Sequence, residues 1–145
     1  MRIIKGPGYA PTWKGKPAGM SIAERALWAR WKEHNINEDE TIYHNVRLCA
    51  PHAQEIELDE QCRDIWTKIG SRRIDALIES PIGIKIIEVR INADEAAVGR
   101  LLLYKQLWMD CATEPEEPDL VLITNQMGTP EVALAFERGI FVDVI

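Results

Sequence analysis

The segment RRIDALIESPIGIKIIEVR, residues 72 to 90, sets two acids, Asp75 and Glu88, inside runs that otherwise alternate like buried β-structure. Ser80-Pro81-Ile82-Gly83 between the runs is a turn signal, and a hairpin closed there opposes residues whose numbers sum to 163. Asp75 then lies across from Glu88, and Arg73 across from Arg90. Period-two alternation puts these four on one face with Leu77 and Ile86, leaving Ile74, Ala76, Ile78, Ile87, Val89 and Lys85 on the other, which is the expected core face. Two acids about 5 Å apart at Cβ repel unless something positive sits between them. One candidate is a solvated ladder, with Arg73 and Arg90 pairing diagonally with Glu88 and Asp75, worth about 1 kcal/mol or less. The other is a hard divalent cation such as Mg²⁺, clamped by both carboxylates and completed by waters. Such an ion polarises a phosphodiester and lowers the pKa of a bound water, the nucleophile of hydrolysis.

The elements that would carry this pair can be read on either side. Ser21-Ile22-Ala23-Glu24 has the form of a capping box and opens a helix to about His34, with Ile22, Leu27, Trp28 and Trp31 on its core face. TIYHNVRLCA, from residue 41, alternates as a strand stopped by Pro51. Residues 53 to 71 read as a short extended piece, EIEL, and then a helix over DEQCRDIWTKIG with Gly70 as its stop. After the hairpin, ADEAAVGRLLLYKQLWMDC places Ala97, Leu101, Tyr104 and Trp108 at helical spacing. An acidic loop, TEPEEPD, leads into the strand LVLIT; TPEVALAFERG is a short helix with Pro130 in its first turn, and IFVDVI a last strand. The order predicts an α/β (α+β) fold, one mixed sheet flanked by helices.

At 145 residues the chain is expected to form one domain over 21–145, preceded by an arm, 1–20. The arm is too rich in Gly and Pro for a helix or a central strand. Tyr9 and Trp13 are large rings that gain little in a free tail, so arm docking on the body, a partner subunit or nucleic acid stands beside disorder as a reading. Residues 1 to 23 carry four cations and no acid, so the net charge of −6 divides into +4 on the arm and −10 on the rest. That balance argues against a protein that coats nucleic acid by charge alone. Cys49, Cys62 and Cys111 have no CxxC spacing, and His34, His44 and His52 no HxH or HExxH pattern; reduced thiols inside a cell are expected, and a zinc site is not. No apolar run approaches a membrane span, and the first twenty residues have no continuous apolar stretch, so neither anchoring nor secretion is expected.

Asp75, the Glu88-Val89-Arg90 triplet, and the following AAVGRLLLYKQLW together resemble the PD-(D/E)XK nuclease superfamily, in particular small phage-type members with the text RIDA…IIEVK…GQLLLY. The resemblance spans residues 21 to about 125 and implies a restriction-endonuclease-like core. It implies that Asp75 and Glu88 ligate Mg²⁺ or Mn²⁺ with the carbonyl of Val89. It also implies a further acid at Glu24, which doubles as the capping-box residue, and a motif tyrosine at Tyr104, which doubles as a core aromatic. Two positions depart from the family: Arg90 stands where the motif lysine is expected and Arg100 where the helix glutamine is. Guanidinium stays charged and grips phosphate or carboxylate bidentately, whereas lysine can shed a proton. Arg90 would neutralise transition-state charge with weakened activity, or else pair permanently with Asp75 in a dead site. Lys85 points to the opposite face by parity; Lys105 is the candidate for a migrated lysine.

An RNA or DNA binder without chemistry, gripping phosphate through Arg72, Arg73, Arg90 and Arg100, is a third reading that the net charge weakens; two functions stand ahead of it. The first is a metal-dependent deoxyribonuclease, of full or vestigial activity, in phage or mobile-element DNA processing, with Arg72, Arg73, Arg100, Tyr104 and Lys105 touching nucleic acid. The second is an inactive nuclease-fold adaptor, such as a head-to-tail subunit of a phage particle, whose arm (Tyr9, Trp13, Lys14, Lys16) wraps a neighbour or builds a homo-oligomer. The implied location is the cytoplasm of a bacterial host or the virion.

Overall fold

The computed structural model of the chain describes residues 3–48, 72–112 and 116–145. The expected helix over 59–70, the EIEL piece, Pro51, His52, Cys49, Cys62 and the start of the acidic loop lie outside the described residues. Ten elements follow in order: β1 (Ile3–Ile4), β2 (Gly8–Tyr9), α1 (Ile22–Asn35), β3 (Thr41–Leu48), β4 (Arg72–Ser80), β5 (Gly83–Arg90), α2 (Glu95–Cys111), β6 (Asp119–Thr124), α3 (Thr129–Glu137) and β7 (Ile140–Val144). They build an α/β fold: an open, mixed seven-stranded sheet with helices packed against it, in the order β1-β3-β4-β5-β6-β7, β2 also pairing with β3.

β3, β4 and β5 run antiparallel, joined where a short turn suffices, while β5, β6 and β7 run parallel and are linked through α2 and α3. The arm is part of the sheet. Gly8 and Tyr9 pair with Tyr43 and Ile42, and Ile3 and Ile4 with Leu48 and Arg47, so the arm lies along the outer edge of β3.

Side-chain caps open α1 and α2, and a proline marks the start of α3. The Ser21 hydroxyl accepts from the Glu24 amide at 3.2 Å and the Glu24 carboxylate from the Ser21 amide at 3.0 Å, a closed capping box. Asp94 caps α2 by accepting from Ala96 N–H, and Pro130 occupies the first turn of α3. Leu27, Trp28 and Trp31 of α1 are buried, and Trp31 Nε1 donates to Asp143 Oδ2 on β7 at 2.6 Å. Ile22 departs from its expected place in the core: it is the first residue of α1 and is exposed.

Both faces of the sheet are core, a correction to the expectation of one. Ala76, Ile78, Ile87 and Val89 pack under α1 with Ile42, Val121 and Ile123. Leu77, Ile86, Leu120 and Leu122 pack against Ala97, Leu101, Tyr104 and Trp108 of α2. The crossover helices α2 and α3 cover one face and α1 the other, which single-face alternation cannot reveal. The alternation itself changes at Asn45. Ile42 belongs to the α1 side, whereas Val46, its partner Ile74, and Leu48 join the α2 side. Asn45 has φ 52°, left-handed backbone that Asn tolerates better than most residues, and this re-aims the rest of the strand.

Candidate functional site

The hairpin closes in the expected register, from Ser80↔Gly83 to Ala76↔Ile87. There the ladder stops. β4 continues on β3 through Ile74↔Val46, Arg73↔Arg47 and Arg72↔Leu48, while β5 continues on β6 through Glu88↔Leu122 and Val89↔Ile123. The two strands part into a fork, and the next pair in sequence is Asp75 and Glu88. Asp75 Oδ2 accepts the Val89 amide at 2.8 Å, so a side chain takes over a hydrogen bond that the strand partner no longer provides.

Glu88 is 3% exposed, beneath α2. One oxygen, Oε1, lies 3.5 Å from Arg100 Nη1; the other, Oε2, is buried without a partner among the described residues. Burial pushes Glu88 up to about 8, reinforced by the charge of Asp75 and opposed by Arg100 and Arg90. Burial also pushes Asp75 up to about 6, opposed first by the Val89 amide; Glu24 raises it further, and Arg90 and Arg100 lower it. Burial thus favours the protonated form of each acid, and the two titrate as a unit. On α2, burial and then Glu88 and Asp75 raise the phenol of Tyr104, keeping it protonated.

Five of the sequence candidates converge on this fork: Asp75, Glu88, Arg90, Arg100 and Tyr104. Glu24 joins electrostatically from α1 while it closes the capping box, so its two readings coexist. The ladder expectation is corrected. Glu88 is not solvated, and the cation in salt-bridge range of it is Arg100 from α2 rather than Arg73, which is exposed opposite Arg47. Lys105 is engaged elsewhere, in an ion pair with Glu117, and Lys85 sits opposite Ile78, toward the turn and away from the fork. Arg72 is exposed at the start of β4. In the arm, Tyr9 and Trp13 stack at 4.0 Å and both rings lie against His44 on β3.

Pattern reading missed two groups. His44 is buried with neither nitrogen hydrogen-bonded among the described residues, inside the rings of Tyr9, Trp13 and Trp28. Thr124 closes the C-terminal end of β6, its hydroxyl accepting from Ala93 and Gln126 amides and donating to the Gln126 carbonyl. Only the strand position of these residues was visible beforehand; their surroundings come from elements distant in sequence.

The donor set suits a hard cation. Asp75 and Glu88 supply carboxylate oxygens, one of them an unpartnered buried acceptor, and Val89 lies next in the strand. Among the described residues no group of three or more His, Cys, Asp and Glu side chains comes together, so an ion here would draw its remaining ligands from backbone and water. No helix among the described residues is long and apolar enough to cross a membrane. Compared with family models, with curated proteins and with solved structures, the chain shows no match.

Proposed function

We propose that the protein is a nuclease-fold enzyme of PD-(D/E)XK type, acting on DNA by metal-dependent phosphodiester hydrolysis at the fork between β4 and β5. The observation that carries this reading is the buried carboxylate of Glu88, with one oxygen unpartnered, beside a second acid that shares its charge burden. A closed core gains nothing from two such acids; one built to receive a cation does. Asp75, Glu88 and the Val89 carbonyl would hold Mg²⁺ or Mn²⁺, which supplies polarisation of the phosphate and a bound water of lowered pKa. The chain's own part is to release a proton as the ion enters and to keep both acids fixed, Asp75 through the Val89 amide. Arg90 and Arg100 supply positive charge for the phosphate oxygens, but neither can relay a proton, so turnover is expected to be slow. Tyr104, protonated and buried, offers a donor on the same side. The reading places the protein in DNA processing of a phage or mobile element, in a bacterial host or a virion.

A second reading is favoured by one contact: Arg100 lies within salt-bridge range of Glu88 Oε1. If that guanidinium is a permanent replacement for the cation, the fold is an inactive adaptor of a phage particle. Its arm offers a neighbour less than its composition suggests, since Tyr9 and Trp13 stack on the chain's own His44.

Cleavage of plasmid and linear DNA with Mn²⁺ or Mg²⁺ tests the first reading. Wild type should cut slowly, Glu88→Gln and Asp75→Asn not at all, and Arg90→Lys faster. No cutting by wild type or by Arg90→Lys, together with a ring or stable oligomer lost on deleting residues 1–20, would establish the adaptor instead.

A further inference from the structure

The arm and α1 enclose a groove of about 660 Å³ on the α1 side of the sheet. Trp13, Ile22 and Trp28 line it, and Ile22, whose spacing belongs to the core face, is 79% exposed. Four cations also line it, Lys14, Lys16, Arg25 and Lys32, against one acid, Glu33. Lys32 is used structurally: its Nζ donates to the Trp13 carbonyl at 3.2 Å and lies over the Trp28 ring, fixing the arm to the helix. Lys14, Lys16 and Arg25 form no salt bridge with any described residue. Three uncommitted cations gathered on one groove, in a chain whose residues 24–145 carry −10, are a local reversal of sign, and like charges gathered this way repel until an anion arrives.

We propose that this groove binds single-stranded nucleic acid. An apolar floor with a cationic rim matches a ligand that offers flat apolar faces and regularly spaced negative charge together. A duplex hides its base faces and would leave the floor unused. The polymer's identity rests on the nucleic-acid reading of the fork.

The test is fluorescence anisotropy of a labelled oligothymidine of roughly 12 nucleotides, a length in the usual range for such grooves, with the full chain in EDTA so that no metal chemistry contributes. Wild type should bind, and a duplex competitor at equal nucleotide concentration should displace the strand poorly. Lys14→Ala/Lys16→Ala/Arg25→Ala should weaken binding by about tenfold or more and make the slope of log K against log salt shallower by about 2, at roughly 0.7 for each phosphate no longer neutralised. Ile22→Ser should weaken binding and leave the slope unchanged. If the triple variant melts early, Lys14→Glu/Lys16→Glu, at two exposed positions, gives the same reading. Glu88→Gln should bind like wild type, so an inactive fork and an empty groove are distinguishable results. No binding by wild type, equal binding by the charge variants, or anionic phospholipid vesicles bound in preference to the oligonucleotide would each overturn the proposal.

Discussion

Glu88 at the fork and His44 beneath the arm are both titratable side chains buried with polar atoms unpartnered among the described residues, and burial is the main force on each. It pushes the acid up to about 8 and the base down to about 4, so both are neutral or nearly so at neutral pH. Their neighbours separate them. Glu88 is surrounded by charges, Asp75, Arg90 and Arg100, whose balance a single added cation would change. His44 is surrounded by rings, Tyr9, Trp13 and Trp28, with Lys32 as the charge that acts on it. The same desolvation thus serves two ends: a poised charge cluster at the fork, and a packed clasp that holds the arm.

The clasp should carry the larger share of stability. Trp28→Ala removes a buried ring that also stacks on Trp31, and is expected to cost about 3–5 kcal/mol in urea denaturation. Metal affinity per folded molecule should hardly change; a loss of affinity as large as the loss of stability would break the distinction.

pH separates the regions by sign. An acid raised in the folded state binds its proton more tightly than in the unfolded chain, so stability falls as pH rises from the ordinary carboxylate range toward about 8. Glu88→Gln should flatten that limb, an effect on the order of a few kcal/mol. A base lowered in the folded state does the reverse: stability falls as pH drops from 6.5 toward about 4. His44→Phe should flatten that acid limb alone. Denaturation midpoints of both variants across pH 4 to 9 read the two slopes, and a single variant that flattened both would show that the regions are one coupled unit. The smallest effect is expected from Ser21→Ala, which opens the capping box of α1 for about 1 kcal/mol and frees Glu24 near Asp75.

What the sequence disclosed follows the range of the interactions involved. The hairpin register was legible because a four-residue turn and period-two alternation are local, but the ladder ends at Ala76↔Ile87, so the expected pairs Asp75 with Glu88 and Arg73 with Arg90 are not made. The starts of α1 and α3 were legible from Ser21 and Pro130 for the same reason. The partner of Glu88 was not, because Arg100 reaches it from a helix whose position over the sheet is set by crossover packing. The second core face and the change of side at Asn45 were hidden as well, since a left-handed residue inside a strand leaves no trace in hydrophobic alternation. Ile22 misled for a related reason: helical spacing says which residues share a stripe, not which of them is covered by other elements.

The most direct measurement is isothermal calorimetry of Mg²⁺ and Mn²⁺ binding near pH 7, repeated in two buffers of different ionisation enthalpy. A fork built for a cation should bind one ion and give up close to one proton as it does so, with both signals gone in Glu88→Gln and Asp75→Asn. Heat that is absent in wild type, or that survives both substitutions, would mean the two acids are held by Arg90 and Arg100 alone and have no part in hydrolysis.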